Sequence, residues 1–306
     1  MKIGVYKDTF ARGRGADIAV RQLVDGLVER GHAAVAFEKA ELAERLRETW
    51  DVIISTGTNE LLDLNGFVGA PIVQQFHTNP RSQFKRKRLL RNWKIRRALR
   101  RVAAIQVLQE AFVPQVTKYG PPVAVIGNWS GQTPPAAPCE AAAPVIIYPA
   151  AFAKAKNQVL LIKAFASLHR DFPDWTLELY GDGAPDVELP PAVSVFGRRD
   201  LREIYAHCSF LAFPSLDEGF GLAIADAAVF GRPAVMVRDW IGTAAADGGI
   251  VTASTVPAYA DGLRRLMSGP ALCRRLGENA RQFCAARYSR EKILDQWEDL
   301  LESVVK

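Results

Sequence analysis

The sequence predicts an α/β protein made of two similar domains, each with a parallel β-sheet covered by helices. Short apolar segments alternate with longer amphipathic segments along most of the 306 residues, which is the pattern of βαβ units. The alternation stops over Thr133–Pro144, where four prolines and five alanines leave little periodicity, and it then restarts. We therefore expect a first domain over residues 1–133, a linker over 134–144 and a second domain over 145–306, with the last helix packing back on the first domain.

In the first domain, each element follows from its apolar pattern. Ile18, Leu23 and Leu27 recur at helical spacing, and Gly31 ends the helix that they define. Strands are predicted at Lys2–Tyr6, Ala33–Phe37, Asp51–Ser55, Pro71–Phe76, Ala103–Leu108 and Val123–Ile126. Helices are predicted at Ala16–Arg30, at Glu41–Glu48, in the basic segment described below and in a stretch that ends at Lys118.

The second domain repeats the alternation with a new set of short apolar strands. These are predicted at Val145–Tyr148, Thr176–Tyr180, Ala192–Phe196, Phe210–Phe213 and Pro233–Val237, with a helix at Gln158–Arg170 and further helices to the C-terminus. Ligands of open α/β sheets bind at the carboxyl ends of the strands. With two such domains, the cleft between them is the expected site.

The composition is that of a globular enzyme, with 49% apolar and 24% charged residues. Nowhere do about 18 apolar residues follow one another, so no membrane-spanning helix is expected. The chain begins with a short strand instead of the long apolar core of a signal peptide, which favours a cytoplasmic protein. The four cysteines lack the spacing of a disulfide framework or a zinc site, so we expect packing thiols and no metal site.

The net charge of +6 comes from one segment of the chain. Eleven Lys or Arg and no acid lie between Arg81 and Arg101, so the remaining sequence has a net charge of −5. The pattern suggests a cationic amphipathic helix with Leu89, Trp93 and Leu99 on one side. Eleven unbalanced charges repel one another, which argues against a merely solvated face. The predicted patch comprises Lys85, Arg86, Lys87, Arg88, Arg91, Lys94, Arg96 and Arg97.

Three partners remain open for this basic segment. It fits an anionic membrane surface, an anionic acceptor such as a phosphorylated or lipid-linked glycan, or nucleic acid. Nucleic acid is the least favoured of the three, because no recognised nucleic-acid-binding module accompanies the patch.

The most informative stretch is Phe213–Ala227, where a strand, a glycine-containing loop and a helix follow one another. A helix N-terminus has unpaired amide donors and the positive end of the helix dipole, so it attracts phosphate. Glycines in such a loop let a ligand approach the backbone closely. Glu218 at the loop tip can accept hydrogen bonds from sugar hydroxyls, and Asp226 in the helix can accept them from a ribose. The competing interpretation is an ordinary βα turn with a solvated acid.

This stretch resembles the acid-x7-acid motif of retaining glycosyltransferases of family 4, the glycosyl transferase group 1 proteins. The resemblance implies the GT-B fold, in which two Rossmann-like domains face each other across a cleft. The family usually has two glutamates separated by seven residues; here Glu218 is followed by Asp226, which is one methylene shorter. Gly231–Val235 also resembles the Gly-x-Pro-Val continuation of the family. The donor residues implied by the loop are Glu218, Gly219, Phe220, Gly221, Leu222 and Asp226.

A second resemblance lies at the start of the second domain. Ala153–Gln158 is similar to part of the Gly-Arg-Leu-x-x-x-Lys element, whose arginine and lysine hold the donor diphosphate in relatives. Lys156 matches the lysine, whereas Ala151 stands in the place of the arginine. One lost charge-assisted contact weakens donor binding by about 1.5–3 kcal/mol. Arg198 and Lys154 are the candidates to replace it.

Three further positions follow from the resemblance. Gly197 stands where relatives hold the nucleotide base against the backbone, and Arg12–Gly15 resembles the glycine loop that faces the donor phosphate, through Gly13 and Gly15. His77 follows a strand of the first domain, where relatives often have a histidine that contacts the sugar or the reacting centre.

The resemblance implies a retaining hexosyltransferase-type enzyme that moves a sugar from a nucleotide sugar to a glycan or lipid-linked acceptor, as in cell-envelope polysaccharide biosynthesis. His77 and Glu218 would be catalytic, and no metal or cofactor besides the donor is expected. Such an enzyme would be cytoplasmic or peripheral on the inner face of the membrane. Two alternatives remain: a nucleotide-sugar epimerase of the same fold, and a non-catalytic glycan- or membrane-binding protein, which the alanine at Ala151 favours.

Overall fold

The computed structural model describes residues 1–10, 15–84, 88–133 and 143–306. Their contacts divide the chain into a first unit, residues 1–129 with 290–306, and a second unit, residues 130–289. The second unit thus begins four residues before the predicted linker, and the last helix belongs to the first unit. Most of that linker, the predicted donor glycine Gly13 with Arg12 and Arg14, and the predicted patch residues Lys85, Arg86 and Lys87 lie outside the described residues.

The first unit contains a six-stranded parallel sheet with the order β2-β1-β3-β4-β5-β6 among its described residues. The four residues of β3 and the four of β5 are all buried, which is why these strands are mainly apolar instead of alternating; their polar residues, Ser55 and Gln106, are buried as well. The strands are β1 (Lys2–Tyr6), β2 (Ala33–Phe37), β3 (Val52–Ser55), β4 (Ile72–Gln75), β5 (Ala104–Val107) and β6 (Val123–Val125).

Helix α1 has its predicted length, whereas two other predicted helices of the first unit are shorter than expected. The stretch that ends at Lys118 is broken into three short pieces, with a proline near the start of the second, and the predicted Glu41–Glu48 helix is a single turn. An additional short helix, which the sequence did not indicate, follows β3. The helices are α1 (Gly15–Glu29), α2 (Leu42–Arg45), α3 (Thr58–Asp63), α4 (Leu89–Leu99) and α5 (Val113–Val116).

The second unit also contains a six-stranded parallel sheet, with the order β12-β11-β10-β7-β8-β9 among its described residues. Its strands are β7 (Val145–Pro149), β8 (Thr176–Tyr180), β9 (Val193–Phe196), β10 (Phe210–Phe213), β11 (Ala234–Met236) and β12 (Gly249–Val251). Its helices are α6 (Gln158–Ala166), α7 (Leu201–His207), α8 (Leu222–Val229), α9 (Val256–Met267) and α10 (Pro270–Arg287). The central strand β10 leads directly into the loop before α8.

The final helix, α11 (Arg290–Val305), packs on α1 of the first unit. A Cβ atom at Gly26 would lie 2.7 Å from the side chain of Leu294, so the absence of a side chain there permits the close approach. Arg30 donates a hydrogen bond to Glu298, and a ring nitrogen of His32 lies 2.8 Å from the same carboxylate. Burial raises the pKa of Glu298, but the hydrogen bonds from His32 and Arg30 outweigh it and hold the pKa below its ordinary value.

In the second unit, α10 crosses the turn that ends α8 at Gly277. A Cβ atom there would collide with the carbonyl oxygen of Gly231 and would lie 3.2 Å from the ring of Pro233. The packing of α10 against α8 therefore depends on a glycine at this position.

We predict that Gly277→Ala lowers the free energy of unfolding by about 1–3 kcal/mol, because the helices must separate to admit the methyl group. In an unhindered helix interior the same change would stabilise by roughly 0.5–1 kcal/mol. Chemical denaturation is the measurement, with Arg274→Ala on the exposed side of α10 as the control. A variant as stable as the wild type would contradict the close packing.

Candidate functional site

The loop between β10 and α8, together with α8 itself, holds six of the ten predicted donor residues. Its backbone reaches the helix through Gly221, whose φ of +102° favours glycine. Helix α8 begins at Leu222, and its N-cap residue is Gly221, which has no side chain to accept a hydrogen bond from the first amides. Phe220 is buried and packs edge-to-face on Tyr288 with ring centres 5.0 Å apart. This packing anchors the loop, so Phe220 acts as a structural anchor through its side chain.

The Tyr148 hydroxyl, near the end of β7, joins two loops at the carboxyl edge of the sheet. It donates a hydrogen bond to the carbonyl of Lys156 at 3.0 Å and lies 2.5 Å from the hydroxyl of Ser215. Since the Tyr148 proton is used on the carbonyl, Ser215 is the donor in the second contact. The amide of Leu216 also donates to the carbonyl of Ala155 at 2.8 Å. These bonds fix the segment before α6 against the loop that carries Glu218.

The result of this arrangement is an ion pair between two predicted donor residues. The ammonium of Lys156 lies 2.5 Å from Oε1 of Glu218, and both side chains are mostly shielded from solvent. A cation that can bind phosphate and a carboxylate that can accept hydrogen bonds from hydroxyls therefore lie at one point beside the glycine-containing loop.

The arginine that Ala151 replaces has no evident substitute in Arg198 or Lys154. The guanidinium of Arg198 forms three hydrogen bonds with Asp182, the closest at 2.6 Å, and both side chains are exposed. Lys154 is exposed and lies in the short turn before α6. The carbonyl of Ala151 itself accepts a hydrogen bond from Gln158 at 3.0 Å.

A cation that the sequence did not indicate lies in the loop after β11. Arg238 is exposed, and its guanidinium lies 5.0 Å from the ring centre of Trp240. Trp240 is buried, and its Cβ would be 3.4 Å from a Cβ at Gly221. Because β11 pairs with β10, both loops leave the same edge of the sheet. The signal available in the sequence was only that Arg238 follows the strand next to the motif.

Gly197 follows β9 directly, and a Cβ atom built on it would meet no atom within 4 Å among the described residues. The backbone here borders open space, as a base-binding position requires. By contrast, a Cβ at Gly181 would lie 2.6 Å from the carbonyl oxygen of Ala150, so this glycine is needed for packing between turns.

Asp226 lies in the middle of α8 and is buried. The hydroxyl of Ser130 donates a hydrogen bond of 2.6 Å to its Oδ1. Burial raises the pKa of Asp226 to about 6, and the hydrogen bond from Ser130 opposes the rise. Ser130 comes from a distant part of the sequence and was not predicted as a partner.

In the first unit, His77 follows β4 and lines a cavity of about 450 Å³. Both ring nitrogens are buried and have no hydrogen-bond partner among the described residues. Burial, with a smaller effect of Lys7, lowers the pKa of His77 to about 3, so the ring is neutral at pH 7. The cavity also contains Lys7 paired with Asp17 at 3.2 Å, and Ala16 in the first turn of α1, which begins at the predicted Gly15.

Arg91 was predicted in the basic patch, but its side chain points into the first unit. Its guanidinium is half-buried and donates hydrogen bonds to Thr58 at 3.1 Å, Asn59 at 2.7 Å and the carbonyl of Gln83 at 3.1 Å. These three residues line the cavity of His77. Burial lowers the pKa of Arg91. The side chain of Arg91 therefore turns inward and supports the cavity wall, and its role in the acceptor or membrane patch stays a prediction.

Among the residues that the structure describes, no three His, Cys, Asp or Glu side chains cluster as a metal site would require. In the same residues, no helix has the length and apolar character needed to cross a bilayer.

Residues 143–269, which include Lys156, Glu218 and Asp226, match the family model of the glycosyl transferases group 1. The matched segment forms most of the second unit and includes the loop, the ion pair and α8.

One curated relative is an exopolysaccharide phosphotransferase of Streptomyces coelicolor, which is 32% identical over 160 residues. The match covers 47% of this chain and 17% of that protein. An alpha-D-kanosaminyltransferase of Streptomyces kanamyceticus is 28% identical over 50% of this chain and 44% of its own length. The chain thus spans less than half the length of these curated relatives.

Solved structures resemble the whole chain, including the first unit. Sucrose-phosphate synthase of Thermosynechococcus elongatus has a TM-score of 0.79 at 18% identity, covering 99% of this chain and 98% of that one. HepE of Anabaena, in complex with UDP and glucose, has a TM-score of 0.78 at 18% identity, covering 99% and 100%. The fold is therefore GT-B, with two Rossmann-like units as predicted, and the segment that matches the family model lies in the second of them.

The buried Asp226 predicts a specific pH dependence of stability. Its folded pKa of about 6 lies above the ordinary 3.8, so the folded state binds the proton more tightly. Its ionisation therefore costs stability as the pH rises from about 4 to 6, in total about 3 kcal/mol. Asp226→Asn removes this cost.

We expect the thermal midpoints of Asp226→Asn and the wild type to agree near pH 4. They should diverge as the pH rises to 6 and stay apart above pH 6, with the variant more stable. Asp261→Asn, which changes an exposed aspartate on α9, is the control and should keep the wild-type profile. A constant difference across this pH range would contradict the raised pKa.

Proposed function

We propose that this protein is a glycosyltransferase that uses a nucleotide sugar and binds it with the segment that matches the family model. The contact between Lys156 and Glu218 is the observation that carries the proposal. What supports it is a lysine, which can bind phosphate, paired with a carboxylate, which can accept hydrogen bonds from hydroxyls, in the loop that leads to the N-terminus of α8 and within the residues that match the family model.

The donor would extend across the carboxyl edge of the second sheet. Its diphosphate would lie over the amides of Gly219–Leu222, with Lys156 contributing charge. Glu218 would bind the hydroxyls of the donor sugar, Asp226 the ribose and the open space at Gly197 the base. HepE has been solved with UDP and with UDP-glucose, so UDP is the first nucleotide to test.

The proposed reaction retains the configuration at the anomeric carbon. The leaving diphosphate gains negative charge in the transition state, and preorganised cations and amides stabilise that charge. The low pKa of His77 makes this ring a poor proton acceptor at pH 7. We therefore assign His77 a hydrogen-bonding role toward the substrate, in place of a role as a general base.

We propose that the acceptor is a glycan or a lipid-linked sugar and that the cavity of the first unit binds it. The cavity of about 450 Å³ is within the usual size range of small-molecule sites, roughly 300–1,000 Å³. Hydroxyl, amide and carboxylate groups line it, including Thr58, Asn59 and Glu60, and such groups suit the hydroxyls of a sugar.

The first test is calorimetric binding of UDP, GDP, ADP and dTDP. We expect one of them to bind, and Lys156→Met to weaken that binding by about tenfold or more, because a charge-assisted contact is lost. Lys154→Met, an exposed lysine two residues earlier, is the matched control and should bind as the wild type does.

Turnover distinguishes the proposal from its alternatives. Release of the nucleotide from a nucleotide sugar with transfer to an added acceptor supports the enzyme, whereas binding without turnover supports a non-catalytic protein. Failure of all four nucleotides to bind at millimolar concentration would exclude the proposed donor site.

A separate prediction concerns the missing arginine. We propose that Arg238 supplies part of its charge, because it lies in the loop that packs on Gly221. Ala151→Arg should then strengthen nucleotide binding by about tenfold, and Arg238→Gln should weaken it by a similar factor.

The loss from Arg238→Gln should be smaller in the Ala151→Arg background, since two cations near one diphosphate are not additive. Ala151→Gln, which adds length without charge, and Arg202→Gln on α7 are the controls. Wild-type affinity in Arg238→Gln would remove Arg238 from the donor site.

A further inference from the structure

The outward face of α4 combines large apolar side chains with cations. Leu89, Leu90 and Trp93 are 77%, 68% and 54% exposed, and they account for three of the ten large apolar side chains that are exposed among the described residues. We define the α4 surface as Arg88, Leu89, Leu90, Trp93, Lys94 and Arg97, all of which are exposed. Such a concentration of exposed apolar side chains marks a binding surface.

The orientation of this helix is fixed by its opposite face. Ile95 and Leu99 are fully buried and Ala98 nearly so, all of them in the core of the first unit. Leu99 was predicted to share a side with Leu89 and Trp93, and this prediction was wrong, because at 100° per residue it lies on the buried face. The α4 surface therefore cannot turn inward without removing these residues from the core.

The cations of the α4 surface have no acidic partners. In the described ranges, Arg88, Lys94 and Arg97 form no ion pair with a carboxylate, and Arg97 instead stacks on Trp93 at 5.7 Å. Arg100 and Arg101 add two exposed cations at the end of the helix. These charges repel one another, and an anionic partner relieves the repulsion.

The arrangement of the apolar side chains identifies the class of partner. On a helical projection the side chains of Leu89, Leu90 and Trp93 lie near the middle of the exposed face together with Arg97, with Lys94 at one margin and Arg96 at the other. Nucleic acid and soluble anions satisfy the cations but leave the leucines in water. A lipid leaflet offers both an anionic headgroup layer and an apolar layer beneath it.

We propose that the α4 surface docks on an anionic lipid bilayer, with Leu89, Leu90 and Trp93 entering the boundary between headgroups and acyl chains. The surrounding arginines and Lys94 then bind the phosphates of the headgroups while their stems lie along the apolar boundary. This docking does not depend on nucleotide binding, so either the docking proposal or the proposed function can be refuted without the other.

The test is co-sedimentation of the protein with vesicles of phosphatidylcholine, with and without phosphatidylglycerol. We expect binding to the anionic vesicles only, weakened by salt because the charges are exposed. Two variants should each lose about tenfold or more in partitioning to these vesicles. One is Leu89→Gln/Leu90→Gln/Trp93→Gln, which keeps every charge. The other is Arg88→Gln/Lys94→Gln/Arg97→Gln, which keeps every apolar group.

Matched controls change the same groups elsewhere on the surface. Lys118→Gln/Arg202→Gln/Arg274→Gln removes three exposed cations, and Val68→Gln/Leu189→Gln/Val251→Gln removes three exposed apolar side chains. Both should bind the vesicles as the wild type does. Melting curves check that every variant is folded.

Trp93 provides a direct measure of insertion. It is the most exposed of the six tryptophans, the others being buried or half-buried. Brominated phosphatidylglycerol should therefore quench the wild-type fluorescence, and Trp93→Phe should still bind the vesicles but lose most of this quenching.

Three results would overturn the proposal. One is no binding to anionic vesicles at low salt. Another is undiminished vesicle binding by the Leu89, Leu90 and Trp93 variant, which would leave a purely electrostatic contact. The third is binding to duplex DNA, but not to vesicles, that survives the same variant, which would indicate a nucleic-acid partner.

Discussion

The hydroxyl of Tyr148 makes the contacts on which the geometry of the proposed donor site depends. It binds the carbonyl of Lys156 on one loop and the hydroxyl of Ser215 on the other, from the end of the central strand β7. Because it is buried, neither bond competes with water, and burial raises its pKa well above the ordinary value, so it stays protonated. These two hydrogen bonds hold two loops, which are far apart in the sequence, at a fixed distance from each other. The short distance between Lys156 and Glu218 follows from that fixed position of the loops.

The two carboxylates of the predicted motif, Glu218 and Asp226, have different electrostatic surroundings. Glu218 has a cation at 2.5 Å, whereas among the described residues Asp226 is hydrogen-bonded by the neutral hydroxyl of Ser130 and has no ion pair. Burial without a counter-ion raises the pKa of Asp226, which means that its ionised form is held at a cost in stability. A buried carboxylate that weakens the fold at neutral pH is unusual for a purely structural residue. Its position in α8 is more easily understood if a ligand hydroxyl completes its hydrogen bonding, as expected of a residue that binds a ribose.

The sequence was sufficient for the strands and for the residues of the motif, and insufficient for the contacts between segments. Parallel strands buried on both faces appear as continuous apolar runs, so most boundaries were predicted within one or two residues. The three-residue strand β12 and the six-residue helix α3 are too short to produce a pattern. Glu218 and Lys156 were recognised from local motifs, but Ser130, Tyr148 and Arg238 take their places only through the strand order, which a single sequence does not specify.

The basic segment shows how one charge pattern can divide into two functions. Arg91 and Arg97 both lie in the same run and in the same helix, yet Arg91 is bound by three hydrogen bonds inside the first unit and Arg97 lies exposed on Trp93. The composition does not distinguish these two arginines, because it records their charge but not the direction of their side chains. The helical projection separates them by roughly 120°, which is enough to place one against the cavity of His77 and the other on the outer surface. If the α4 surface docks on a bilayer as proposed, the same helix holds the cavity of His77 at a defined height above the membrane, which suits the proposed lipid-linked acceptor.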